Sequence, residues 1–136
     1  MAEITVKASI DLLDEVLAFV DSQLEAVDCP MKTQMQIDIA VEEIFVNIAR
    51  YAYTPGTGDA VILVDADALN RSVTVEFRDR GIPFNPLAKA DPDITLAAEE
   101  RQIGGLGIYM VKKSMDDVRY AYKDGQNVFM FTKKMP

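Results

Sequence analysis

The chain contains no histidine. That excludes histidine metal sites, Ser-His-Asp and Cys-His catalysis, and any phosphohistidine carried on the chain itself. Cys29 is the single cysteine, so no internal disulfide can form and a reducing compartment fits. No apolar run approaches the roughly 18 residues that span a bilayer, and the N-terminus carries no signal-peptide pattern. We therefore expect a cytoplasmic protein with no membrane attachment. Positive charge is also scarce, with 14 Lys and Arg against 22 Asp and Glu and a net charge of −8. A molecule of that balance repels polyanions, so direct nucleic-acid binding, which rests on neutralising phosphates with Lys and Arg, is not expected. A small bound nucleotide would need a local cation and backbone donors instead.

What is present describes one globular domain over 1–136: hydrophobic residues make up 49% and charged residues 26% of the chain. Glu3 to Ser9 alternates as a strand, and Ser9 or Asp11 is placed to cap a helix running to about Val27. Pro30 suits the first turn of a second helix, which carries Met35, Ile39, Glu42, Glu43, Val46 and Ile48 at helical spacing as far as Tyr51. On that helix Asp38 and Glu42 read as surface or partner-facing groups. Ala60 to Ala68 and Ser72 to Arg78 form a hairpin, and a third helix from about Gly105 to Ser114 precedes a second hairpin around Asp124-Gly125-Gln126. Between them lies a long polar connection, 85–103, with at most a short helix at Thr95 to Glu100; a connection of that length in a small domain is usually functional, often a lid. The order β-α-α-β-β-lid-α-β-β predicts an α/β (α+β) two-layer sandwich, with a mostly antiparallel mixed sheet covered on one face by three helices.

Three patches carry chemistry. Glu43 and Asn47 stand at i and i+4, so both emerge on one face of the second helix. Asn is a poor interior helix residue, and its carbonyl oxygen is a hard ligand suited to Mg²⁺. Glu43, one turn earlier, could orient or deprotonate an attacking hydroxyl. A Glu–Asn hydrogen bond on a solvated face is the plain alternative. Asp79-Arg80-Gly81 follows a strand: a carboxylate there can accept from an exocyclic amine such as adenine N6, and the glycine lets the chain pass close under the base. An Asx-type turn that merely ends the strand is the other reading. Gly104-Gly105-Leu106-Gly107 opens the third helix, where free N–H groups and the positive dipole end can face phosphates; a lid hinge would look the same. No Walker lysine or serine accompanies it.

Together these patches resemble the conserved boxes of the GHKL (Bergerat-fold) ATPase superfamily of gyrase B, histidine kinases and MutL. The likeness is to its bacterial anti-sigma-factor serine-protein kinases. Ala40 to Ala49 resembles the N box, with Glu43 at the base position and Asn47 at the magnesium position. Phe77 to Pro86 resembles the G1 box in its D-x-G-x-P-F form, which brings in Asp79, Gly81 and Phe84, and Gly104 to Ile108 resembles the G2 box. The resemblance implies a Bergerat fold with an ATP lid over about 85–103. It also implies ATP and Mg²⁺ as cofactors, and backbone groups around Gly105, Leu106 and Gly107 as the phosphate cradle. The implied activity is phosphorylation of a serine or threonine on a small antagonist protein, by a protein that also sequesters an RNA-polymerase sigma factor. A homodimer is a further implication. Two positions depart from the family's pattern. Tyr51 stands where many members have histidine. Met130 occupies about the place of a threonine that helps hold adenine, which implies a modified adenine pocket. A non-enzymatic ATP-dependent binding module needs the same pocket and remains open. So does a sensory ATPase domain, although the lack of histidine argues against autophosphorylation.

Overall fold

The computed structural model of the chain describes residues 1–88 and 105–136. Strand β1 (Ala2–Lys7) leads through a single 3-10 turn, Ile10–Leu12, into α1 (Leu13–Glu25) and then α2 (Met31–Tyr51). Strands β2 (Asp59–Asp67) and β3 (Ser72–Asp79) follow, then a 3-10 turn at Pro86–Ala88, helix α3 (Gly105–Ser114), and strands β4 (Asp117–Lys123) and β5 (Gln126–Lys134). The expected helix at Thr95 to Glu100, Gly104, and the lid beyond Ala88 lie outside the described residues.

Among the described residues the sheet has five strands in the order β1-β2-β3-β5-β4, and every pairing is antiparallel, in place of the mostly antiparallel mixed sheet expected. Strand β5 inserts beside β3, which sets Asp79 opposite Asn127 in register. Period-two alternation puts Val73, Val75, Phe77 and Asp79 of β3 on one buried face, and Asn127, Phe129 and Phe131 of β5 on the same face. The rings of Phe77 and Phe131 meet there at 6.1 Å between centroids. The strands therefore carry a hydrophobic core that ends, at one edge, in two polar side chains. The β2–β3 turn is closed by Asp67, whose Oδ1 accepts from the N–H groups of Leu69 and Asn70 at 3.0 and 3.1 Å.

Helix α1 packs Val16, Val20 and Leu24 against the core, a clean i, i+4, i+8 stripe. Ser9 caps the 3-10 turn before it by accepting from the Asp11 N–H at 3.3 Å. Pro30 is the N-cap of α2, not a residue of its first turn.

Two expectations for α2 are corrected. Its buried stripe is Thr33, Ile37, Ala40, Val41, Ile44 and Phe45, whereas Met35 and Ile39 are 59% and 60% exposed. The helix is apolar on more than one side, so spacing alone does not select the packing face; the sheet takes the face with small Ala40 and β-branched Ile37, Val41 and Ile44. Asp38 is not a free surface group. Its Oδ1 and the Oδ1 of Asp21 on α1 are both buried and receive no N–H or O–H donor from the surrounding residues. Burial first, then hydrogen bonding and repulsion from Asp21 and repulsion from Glu25, push the Asp38 carboxyl up to about 7. A proton shared between the two carboxyls supplies the donor that neither helix provides. Glu42 is exposed, as expected.

Candidate functional site

Between the C-terminal half of α2 and the ends of β3, β4 and β5 lies an open cleft of about 480 Å³, its solvent mouth included. Its walls are mainly apolar: Ile44, Ile48, Tyr51 and Ala52 from α2 and its end, Phe77 and Phe129 from the sheet, and Ile82, Phe84 and Pro86 from the loop after β3. Four polar side chains enter it, Asn47, Asp79, Tyr120 and Asn127. An apolar slot with a few convergent polar groups is the usual form of a site for a flat organic ligand.

Asp79 is 5% exposed at the end of β3. Its Oδ1 accepts from the Gly81 N–H at 2.9 Å, which is an Asx turn, and from Asn127 Nδ2 at 2.9 Å. The turn reading and the binding reading thus coexist, because the turn occupies one carboxylate oxygen and does not engage the other. Gly81 itself does not line the cleft. A Cβ there would overlap the carbonyl of Ala52, and the next residue donates Ile82 N–H to that same carbonyl at 2.9 Å. The protein's own backbone at the end of α2 is sufficient to require glycine there. Tyr53 reinforces this seam, donating its hydroxyl to Asp59 O at 2.6 Å and accepting from the Arg80 N–H at 2.7 Å. Burial, and then the nearby Asp79 and Asp59, raise the Tyr53 hydroxyl above its ordinary value despite the Arg80 N–H, so it stays a donor at neutral pH.

Asn127 is a residue that motif reading missed. It is 7% exposed and makes contacts at both ends of its amide. Nδ2 donates to Asp79 Oδ1 and to Ile82 O, each at 2.9 Å, while Oδ1 accepts from the Phe84 N–H at 3.1 Å and from the Tyr120 hydroxyl. The donor to Ile82 O and the Phe84 N–H together fix which end is the amide nitrogen. The Tyr120 hydroxyl is raised above its usual value, by burial first and then by Asp79, which keeps it protonated and donating. The signal that could have found Asn127 was an amide heading an otherwise alternating apolar strand. Met130, by contrast, pairs with Glu76 and borders a hollow on the opposite face of the sheet with Leu63, Thr74 and Arg78. It is no part of the cleft, so the expectation of an adenine pocket altered by Met130 is corrected; the β5 residue facing Asp79 is Asn127.

At the outer edge of the cleft, Asn47 Nδ2 donates to Glu43 Oε1 at 3.2 Å. A carboxylate only accepts, so the amide nitrogen must face Glu43 and the carbonyl oxygen Oδ1 is the other end of the side chain. Glu43 sits against the first turn of α3: a Cβ on Gly107 would overlap its carboxylate. Gly107 therefore makes room for Glu43 at the positive end of a helix. Helix α3 begins at Gly105, as expected.

Among the described residues, no group of three or more His, Cys, Asp or Glu side chains could hold a metal by itself. A cation here would need oxygens from a ligand in addition to Asn47. The amide oxygen of Asn47 is a hard donor of the type that Mg²⁺ takes.

The model of the histidine kinase-like ATPase domain matches residues 6–133. The chain belongs to that family, GHKL. Family membership implies ATP as the nucleotide. Among its GHKL relatives, the serine/threonine-protein kinase BtrW of Bordetella bronchiseptica is 25% identical over 101 residues, 74% of this chain and 70% of that protein. The serine-protein kinase RsbW of Listeria monocytogenes is 31% identical over 98 residues, 69% of this chain and 62% of the Listeria protein. The chain thus matches somewhat under two thirds of that relative's length. The structure of the RsbU and RsbW domains of Rv1364c from Mycobacterium tuberculosis superposes with a TM-score of 0.63 at 14% identity, covering 99% of this chain and 33% of that one. At that identity the likeness concerns the fold, which is the α+β GHKL fold. Among the described residues, no helix is long and apolar enough to cross a membrane.

Proposed function

We propose that this GHKL domain is an ATP- and Mg²⁺-dependent protein serine/threonine kinase of the anti-sigma-factor type, acting on a small antagonist protein and binding an RNA-polymerase sigma factor. The observation that carries this reading is the Glu43–Asn47 pair, hydrogen-bonded one helical turn apart at the edge of a cleft floored by Asp79. The printed names of the Bordetella and Listeria relatives, both protein kinases, support the class of reaction.

In this reading adenine lies in the apolar slot, with Phe84 and Ile48 against it and its exocyclic amine donating to Asp79. Asn47 Oδ1 would hold Mg²⁺, which when bound would supply charge neutralisation on the phosphates. Backbone N–H groups of Gly105, Leu106 and Gly107 hold phosphate oxygens at the positive end of α3. Glu43 orients the incoming hydroxyl and takes its proton. The hydroxyl oxygen bonds to the terminal phosphorus as the bond to ADP breaks. Phosphoryl transfer needs mainly positioning and charge stabilisation, so this small set of groups suffices.

One observation favours a second reading, a non-enzymatic ATP-dependent clamp: the Glu43 carboxylate is already engaged by Asn47 and packed against Gly107. Incubation with labelled Mg·ATP and candidate antagonist domains tests the choice. A labelled antagonist is the expected result; ATP-dependent capture of partners with no labelled protein would replace the kinase by the clamp.

A further inference from the structure

We propose that Asn127 is a positioning residue that sets base selectivity: it holds Asp79 in the rotamer that presents one free carboxylate oxygen to the 6-amino group of adenine. This rests on the adenine reading of the cleft above. Asp79 touches the base in that reading, and Asn127 acts through it.

The geometry is specific. Asp79 Oδ1 receives two donors at 2.9 Å, the Gly81 N–H from its own turn and Nδ2 of Asn127 from the neighbouring strand. Two donors on one oxygen fix the carboxylate plane and direct Oδ2 away from them, and Asp79 lines the cleft. The turn alone would leave rotation about the Cβ–Cγ bond soft, since terminal carboxylate torsions have broad, shallow wells. The second donor, from a separate strand, removes that freedom.

Asn127 is in turn held from both sides. Its Nδ2 also donates to Ile82 O at 2.9 Å, and its Oδ1 accepts from the Phe84 N–H at 3.1 Å and from the Tyr120 hydroxyl. It therefore cannot turn its amide around without losing bonds at both ends. One side chain thus ties the base-reading carboxylate to the loop that carries Phe84, the residue placed against the base. A fully bonded buried polar network of this kind is rigid, and a partial one is costly.

The test compares ATP with purine riboside triphosphate, which lacks the 6-amino group, by calorimetric titration of the full chain. In the wild type, ATP should bind about tenfold or more tighter than the unsubstituted purine, the usual weight of a buried hydrogen bond to a charged group. In Asn127→Ala that ratio should collapse towards one, chiefly through loss of ATP affinity, with the affinity for the unsubstituted purine little changed. Asn127→Ser provides the same readout if the alanine variant does not fold, because one hydroxyl cannot reach both Asp79 and Ile82. A folded variant that loses affinity equally for both ligands, or keeps the wild-type ratio, would overturn the inference and leave Asn127 as a structural residue. Equal wild-type affinity for the two ligands would instead remove the adenine reading itself.

Discussion

Two aspartates, one at the cleft and one in the seam between α1 and α2, show how differently the fold can supply a carboxyl with hydrogen-bond donors. Asp79, at the cleft, is 5% exposed and its Oδ1 accepts two hydrogen bonds at 2.9 Å. Asp38, in the α1–α2 seam, is the less buried residue, yet its Oδ1 has no donor and faces Asp21, and its carboxyl is pushed up to about 7. The two sites differ in their supply of donors: the turn after β3 and a side chain of β5 bring N–H groups to Asp79, whereas two helices packed side by side have spent their backbone N–H groups internally and bring only further acids, Asp21 and Glu25, towards Asp38. The cleft is a prepared acceptor; the seam has to recruit a proton.

The largest effect expected at the cleft end is on chemistry. Glu43→Gln keeps the shape of the side chain and its acceptor for Asn47, so Mg·ATP binding should stay near the wild-type value. Transfer of phosphate to an antagonist should fall by roughly 10²–10⁴-fold, the weight of a positioned general base. Labelled-phosphate transfer beside calorimetry checks both; a transfer rate unchanged by the substitution would remove Glu43 from the reaction.

Next is a change in what the prepared acceptor prefers. In Asp79→Asn the amide oxygen can still take the bonds from Gly81 and Asn127, which turns the new NH₂ towards the base. A donor facing the 6-position disfavours the amine of adenine and suits the carbonyl of guanine. ATP affinity should fall by about tenfold or more while GTP affinity rises. If ATP and GTP affinities move together, the contrast between the two aspartates is structural only.

A smaller effect separates metal binding from packing. Asn47→Ala should weaken nucleotide binding by about tenfold in Mg²⁺ and much less in EDTA, since only the metal complex loses a ligand. Equal losses under both conditions would make Asn47 a helix residue whose work is its bond to Glu43.

The smallest effect lies in the seam. The folded-state value for Asp38 lies above the ordinary 3.8, so the native state holds an extra proton between about pH 4 and 7. The stabilisation that goes with this proton is full in acid and is lost as pH rises through about 7. Asp38→Asn supplies a permanent donor to Asp21, and should flatten that decline and raise stability at pH 8 by about 1 kcal/mol, a figure reduced for the solvent screening of a partly exposed site. Urea midpoints of both proteins between pH 5 and 8 check it. Parallel profiles would show that Asp38 gives up its proton without consequence.

Much of the site was legible residue by residue. The i, i+4 spacing of Glu43 and Asn47 needs only a helix to be meaningful, and the alternation Val73-Val75-Phe77-Asp79 puts the aspartate on the core face as soon as β3 is a strand. Local periodicity carries that information because it depends on neighbours within one element. The face of α2 did not follow, because that helix offers apolar residues on several sides and only the sheet's shape chooses among them. Gly81 was recognised, but the surface it serves, the Ala52 carbonyl, is 29 positions away in the chain and enters no local pattern.

By itself, then, the amino-acid order determined the main helices and strands, the alternation of β2 and β3, and the pair of side chains on the helix edge, since each follows from the 3.6- and 2-residue periods. Only the tertiary structure decided that β5 lies between β3 and β4. That placement brings Asn127 across from Asp79, 48 residues away, turns Met130 to the far side of the sheet, and sets Tyr120 behind the amide. Strand order is a property of how whole elements bury their apolar faces together. No single stretch of the chain contains it, and the chemistry of the cleft depends on it.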